Sequence, residues 1–426
     1  MTRRSERAAC SEYANLSRRG FLRTAAAGAA VSSAMPRIAF SANRGSGGGV
    51  QRDVLVNVFL RGGMDGLSAV VPYGDPDYAS SRGPLAIPGP SSGNGSVDLD
   101  GTFCLSPSAA PLHTPYADGK LLVVHAAGAP VHTLSHFDGM RRWETATPAG
   151  SALPLSEGWV SRHLDTIQPL GSGTVRALSL SALLPWTLTG APGSIPIAVP
   201  PTFSFPGEAA TATDRRQVLA DMYGPQPAPL GPAAVSALDA LDQVGGVQFF
   251  GYTPSNGAVY PGGPFGGGLR AVATMLKAGL DLECCVVDID GWDHHVQMGP
   301  LSGTYAGMLD TFARSLEAFY LDLRNSGIRY TLVAHSEFGR RIAPNLSDGC
   351  DHGFGNAMFL MGDGIAGGRV MTQWPGLAPS SLNEGDLDVT IDYRDVLAEV
   401  AERRLGSPDA GPLFPGHTAT HLGVTV

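Results

Sequence analysis

Twelve residues, Cys284 to His295 (CCVVDIDGWDHH), constrain this chain more than any other stretch. They open with an apolar run of strand type. They end in Asp288, Asp290, Asp293, His294 and His295, a concentration that stands out in a chain with 11 His. An apolar strand that delivers carboxylates and imidazoles to its C-terminal end is how open α/β sheets build sites. A second such strand, Tyr330 to His335, runs into Ser336-Glu337-Phe338-Gly339-Arg340, and Asp351-His352-Gly353 follows shortly. We expect these segments, together with Asp65, to converge on a metal-assisted hydrolytic site.

Other runs support a sheet of parallel strands. Val54–Leu60, Leu121–Ala126 and Ala357–Met361 are near-continuous apolar segments of the kind that is buried on both faces. Between them lie helical patterns: one starting near Ser135, one at Gly158–His163, then Asp214–Met222, Leu269–Gly279, Leu301–Asn325 and Asp392–Leu405. In Leu301–Asn325 the residues Met308, Leu309, Phe312, Leu316, Phe319, Tyr320 and Leu323 share one broad face. Strands alternating with helices, each strand followed by a polar cluster, predict an α/β fold: a mostly parallel sheet flanked by helices on both faces. Residues 170–265, rich in Ala, Pro and Gly, read as a loop-rich insertion in a single domain spanning 43–426. Tyr73–Gly101 reads as a surface excursion.

The N-terminus reads as an address. Ser17-Arg18-Arg19-Gly20-Phe21-Leu22-Arg23 and the Ala-rich run after it resemble a twin-arginine export signal, with cleavage expected near Ser41-Ala42. The expected partner is the twin-arginine machinery, and the expected location is periplasmic or secreted. Residues 1–42 hold seven Arg and two Glu; without them 22 basic residues face 36 acidic ones, a formal charge of −14. That acidity argues against nucleic-acid binding through a basic surface. No apolar run of about 18 residues lies beyond the N-terminus, so no stable membrane span is expected. Cys284 and Cys285 should point to opposite faces of their strand. A Cys104–Cys350 bridge is open, without support from spacing.

Divalent ions such as zinc take imidazole nitrogen and carboxylate oxygen in one shell. Asp293 and His295, two apart on an extended segment, point the same way. Asp290 and His294, four apart, are the alternative pair for a helical turn. Asp65, set among Gly62, Gly63 and Gly66, is either a ligand or part of a plain turn. Ser135, with Asp138 three residues on, is either the start of a capping box or a hydroxyl poised at a helix N-terminus. Arg340 and Arg341 either hold an anionic group or are solvated.

Leu60-Arg61-Gly62-Gly63-Met64-Asp65-Gly66, Ser135-His136-Phe137, Gly291-Trp292-Asp293-His294-His295, Ser336-Glu337-Phe338-Gly339-Arg340 and Asp351-His352-Gly353 resemble, in that order, domain-of-unknown-function family 1501. Gly367-Gly368-Arg369 and Asp392-Tyr393-Arg394 add to the likeness, which spans about residues 52–165 and 265–410. That family is grouped with the alkaline phosphatase and sulfatase superfamily. The resemblance implies an alkaline-phosphatase-like sheet and one or two divalent ions, with zinc the first expectation and calcium the one that the Phe338 departure described below adds. It makes Asp65, Asp293, His295, Glu337 and His352 the expected ligands and Ser135 the nucleophile, with Asp290 kept as a further candidate from the local spacing alone. Arg340 or Arg162 would hold the non-bridging oxygens of a small anionic ester. One departure stands out: where the superfamily has Ser-Asp-His-Gly, this chain has Ser336-Glu337-Phe338-Gly339. The function expected is therefore an exported metal-dependent hydrolase of phosphate or sulfate esters; the alternative is a non-catalytic envelope or assembly protein on the same scaffold.

Overall fold

The structure, a computed structural model, describes residues 52–426 except His132 and Leu153. The twin-arginine segment, its expected cleavage point and Cys10 lie outside the described residues. Nine strands form the main sheet. They are β1 (Val54–Arg61), β2 (Leu121–Gly128), β3 (Ala177–Ser179), β4 (Ser194–Pro196), β5 (Cys284–Asp290), β6 (Tyr330–His335), β7 (Asn356–Met361), β8 (Arg369–Met371) and β9 (Ile391–Asp392). Across the sheet the order is β8-β2-β7-β6-β1-β5-β3-β4, with β9 also pairing β2. Every pairing is parallel except those of β7, which runs antiparallel to both β2 and β6.

The pleat of β1 shows why the sheet is covered on both sides. Val54, Val56, Val58 and Leu60 enter one apolar cluster, and Leu55 and Phe59 enter another. Asn57, on the second face, is buried in the strand and pairs through Oδ1 with His335 Nε2 at 3.0 Å. Cys284 and Cys285 divide between the two clusters in the same way, and all four described cysteines are free and buried. The Cys104–Cys350 bridge is therefore not made.

The longer helices are α1 (His136–Thr145), α2 (Trp159–Thr166), α3 (Ala212–Tyr223), α4 (Leu230–Gly245), α5 (Pro264–Lys277), α6 (Thr304–Leu323) and α7 (Tyr393–Arg403). Helices α5 and α6 pack on the Val56 side, and α1, α2 and α7 on the Phe59 side. The predicted apolar face of α6 is the buried one: Leu309, Phe312, Leu316, Phe319 and Leu323 are at most 2% exposed. Each such side chain contributes roughly 1.5–3 kcal/mol on burial, so this seam outweighs any helix propensity. No helix among the described residues is long and apolar enough to cross a membrane.

One sequence expectation is filled out here and another needs correction. Residues 170–265, expected as a loop-rich insertion, also supply β3 and β4 to the sheet edge, and α4 besides the expected α3. Residues 73–101 do not lie wholly on the surface, because Tyr78, Arg82, Leu85 and Ile87 are buried.

Candidate metal centre

The sheet gathers its polar loops at one edge. Strands β1, β2, β5 and β6 share a direction, so residues 62–65, 135–136, 291–295 and 336–340 all leave from their C-terminal ends. Strand β7 runs the other way, so the residues just before it, 351–355, arrive at that same edge. Two glycines let these loops meet. A Cβ on Gly62, whose φ is +114°, would lie 2.8 Å from the Asp293 backbone nitrogen, and one on Gly63 would lie 2.8 Å from the Phe338 ring.

Asp293 Oδ1 is the hub of the cluster. His295 Nε2 lies 2.9 Å from it, His136 Nε2 3.2 Å and His352 Nε2 3.2 Å. His295 Nε2 also lies 2.9 Å from His352 Nε2. Each imidazole is held from behind by its other nitrogen. His136 Nδ1 meets Glu337 Oε1 at 2.7 Å, His295 Nδ1 meets Asp351 Oδ1 at 2.8 Å, and His352 Nδ1 meets the Leu134 carbonyl at 2.6 Å. A carbonyl or a carboxylate accepts, so these contacts place the proton of a neutral ring on Nδ1. The three Nε2 lone pairs then face one carboxylate oxygen, Asp293 Oδ1, to which Arg340 Nη2 donates at 2.6 Å.

Such a set of lone pairs asks for positive charge. Burial works against a charged His136, yet a protonated ring would be held by the Asp293 and Glu337 carboxylates, which raises it to about 9. Hydrogen bonding to Asp293 likewise raises His295. Burial disfavours the Asp293 anion, but the surrounding imidazoles of His136, His295 and His352, which can take up a proton beside it, hold it well below the usual carboxylate range.

The residues fit a metal ion. His136, Asp293 and His352 offer ligand atoms all within 4.8 Å of one another, and His295 borders that trio. His136 Nε2 is buried and makes no hydrogen bond, although the Asp293 oxygen is near. Ligands on a tetrahedral zinc ion with bonds of about 2.0–2.1 Å stand about 3.3 Å apart, close to the spacing around Asp293. Imidazole-rich donors suit zinc and its transition-metal neighbours, whereas calcium takes about six to eight oxygens, so the calcium expectation suits these residues poorly. Imidazoles held at Nδ1 by carboxylates or carbonyls are the usual outer shell of metal-binding histidines.

The expected site residues divide. Asp293, His295 and His352 stand together at the hub. Glu337 stands one layer out: its Oε1 accepts from His136 and from the Gly62 amide at 2.9 Å, and its Oε2 from Ser336 Oγ at 3.0 Å. Asp65 lies elsewhere, buried against Arg82 and accepting from Ser68 Oγ at 2.6 Å. Arg82 sits 17 residues on, in the stretch read as a surface excursion. Asp290 is exposed at the end of β5 and has no place in the trio. Its alternative partner His294 turns inward, with Nδ1 3.0 Å from the Trp292 carbonyl.

The two arginines expected to hold an anion are occupied. Arg340 is 2% exposed and donates to the carbonyls of Gly62, Gly63, Trp292 and Cys350 as well as to Asp293. Arg162 donates to the carbonyls of Thr145, Glu157 and Leu413. Ser135 is the N-cap of α1 but makes no side-chain capping bond, and Asp138 pairs with Arg142 at 2.7 Å, so the capping box is not formed. The residue that sequence reasoning missed is His136. The signal it carries is its position, next to Ser135, as the first residue of a helix that follows a buried strand.

No curated protein matches this chain. Among solved structures it is similar to the lipoteichoic acid synthase LtaP from Listeria monocytogenes, at 10% identity over 79% of this chain and 74% of that one, with a TM-score of 0.31. It is similar to the C-terminal periplasmic domain of EcEptC from Escherichia coli in complex with Zn, at 9% identity over 76% and 77%, with a TM-score of 0.33. A third likeness is to Ps i-CgsB in complex with k-i-k-neocarrahexaose, at 9% identity over 88% and 76%, with a TM-score of 0.37. Residues 207–409, the stretch that carries Asp293, His295, Glu337 and His352, match the family described as Protein of unknown function (DUF1501).

Proposed function

We propose that this chain is an exported, metal-dependent hydrolase of phosphate or sulfate esters, working in the periplasm or outside the cell. The observation that carries the reading is the convergence of three imidazole Nε2 atoms on Asp293 Oδ1, each ring fixed from behind by a carboxylate or a carbonyl. His136, Asp293 and His352 would hold the ion, with His295 completing or exchanging within its shell. When bound, a divalent ion supplies Lewis acidity and eases deprotonation of an attacking hydroxyl.

The rest of the chemistry belongs to the chain. Ser135 is the proposed nucleophile. It sits between Leu134, whose carbonyl orients His352, and His136 itself, so its backbone is held at the centre from both sides. Its position ahead of α1 places it near amide donors that favour developing negative charge. Arg340 keeps Asp293 ionised and in place through its 2.6 Å contact.

The test is elemental analysis of purified protein, followed by assay on aryl phosphates and aryl sulfates. We expect a bound divalent transition metal, lost on chelation and reduced in His136→Ala and His352→Ala. Ser135→Ala should abolish hydrolysis while keeping the metal. Protein that takes up no metal and stays inert on both ester classes refutes the proposal. One observation favours a second reading, a non-catalytic envelope or assembly protein: both expected anion-holding arginines are consumed by backbone carbonyls. A metal-loaded protein inert on every ester would support it.

A further inference from the structure

We propose that Glu337 is a positioning residue and not a ligand, fixing His136 for a one-ion centre that has no place for a second metal. This rests on the metal reading above. Both Glu337 oxygens are already engaged, by His136 Nδ1, the Gly62 amide and Ser336 Oγ, and its side chain is wholly buried. With Nδ1 tied to a carboxylate, His136 presents only Nε2 to the cluster, and the Gly62 and Ser336 contacts stop the carboxylate from swinging inward.

The position next to Glu337 is apolar and packed. Phe338, next in the chain, sets its ring 4.9 Å from the rings of both His136 and His352. On the other side, the Arg340 guanidinium is buried against Asp293 and four carbonyls. It already occupies the position of a second cation. Charge leads to the same count. In the buried part of the site Asp293 and Glu337 bring two negative charges and Arg340 one positive, so one divalent ion leaves a single positive charge. A second would leave three uncompensated positive charges there, which is costly.

The experiment is titration of metal-free protein with Co(II), read by its visible d–d spectrum and by chelator competition. Wild type should saturate at one Co(II) per chain. Glu337→Ala should bind Co(II) about 10–100-fold more weakly, as loss of an outer-shell partner does, with an altered spectrum because His136 is no longer held. Glu337→Gln, which keeps an acceptor for His136, should recover most of the affinity and the wild-type spectrum. A purely structural role for Glu337 would lower stability in the alanine variant without changing the spectrum. Two ions per chain in wild type, or Glu337→Ala with wild-type affinity and spectrum, overturns this proposal and leaves the metal reading standing. Wild type that binds no Co(II) overturns the metal reading itself. Should Glu337→Ala fail to fold, the wild-type stoichiometry still decides.

Discussion

Asp386 offers a sharp test of the physical reasoning. It is 0% exposed, and neither carboxylate oxygen makes a hydrogen bond; the nearest cation is Arg341 Nε at 3.4 Å. Burial raises its pKa from 3.8 to about 6, Arg341 offsetting part of the rise. Because the folded pKa lies above the unfolded one, the folded state binds more protons between the two values. Stability from this group therefore falls as pH rises from about 4 to about 6, and the full cost is present above that. A shift of about two units corresponds to about 3 kcal/mol. Asp386→Asn removes the titration. Whatever constant offset the amide introduces cancels when variant and wild type are compared at two pH values. The offset from the half-exposed Arg341 is already contained in that shift. The difference in unfolding free energy should thus move by about 2–3 kcal/mol in favour of the variant between pH 4 and pH 8. Urea denaturation at each pH measures it. A difference that stays constant across that range, or that moves the other way, refutes the claim that this carboxylate is buried without adequate partners.

Three further outcomes are expected. Burial lowers His125 to about 4 and His163 and His335 to about 3, so the folded state binds fewer protons and stability is lost as pH falls below about 6.5. Three such groups outweigh the opposite slope of Asp386, so net acid destabilisation of several kcal/mol by pH 4 should appear in the same denaturation series. Gly62→Ala forces a methyl to within 2.8 Å of the Asp293 amide at a φ of +114°, and should cost at least about 2 kcal/mol and weaken metal uptake. Asp322→Ala removes the acceptor for Tyr252, Tyr260, Lys277 and the Ser255 amide, and should destabilise by about 3 kcal/mol, with residues 252–260 becoming sensitive to protease.

Much of the sheet was legible because its central strands are uninterrupted apolar runs. The Asp293–His295 pair was legible because alternate residues of an extended segment share a side. The rest depended on partners that local sequence does not show. Asp65 resembled a ligand because Arg82, its counter-ion, lay in a Pro- and Gly-rich stretch. Arg340 resembled a substrate clamp because its partners are mostly backbone carbonyls, which carry no letter code. His136 carries no local signal beyond its position, since its neighbour's hydroxyl already accounts for a helix start and an imidazole there has no single chemical reading. Helix α4 was hidden by Gly231 and Pro232 at its beginning, residues that usually mark a break.

The reversed direction of β7 has a consequence for assembly order. Because His352 precedes an antiparallel strand that must slot between β2 and β6, the cluster draws on chain segments more than 200 residues apart and is complete only when the middle of the sheet has closed. A nascent chain ending before that strand carries His136 and Asp293 but has no frame to bring them together. Ion capture should therefore report finished topology, and a chain halted short of β7 should be unable to sequester metal from its surroundings.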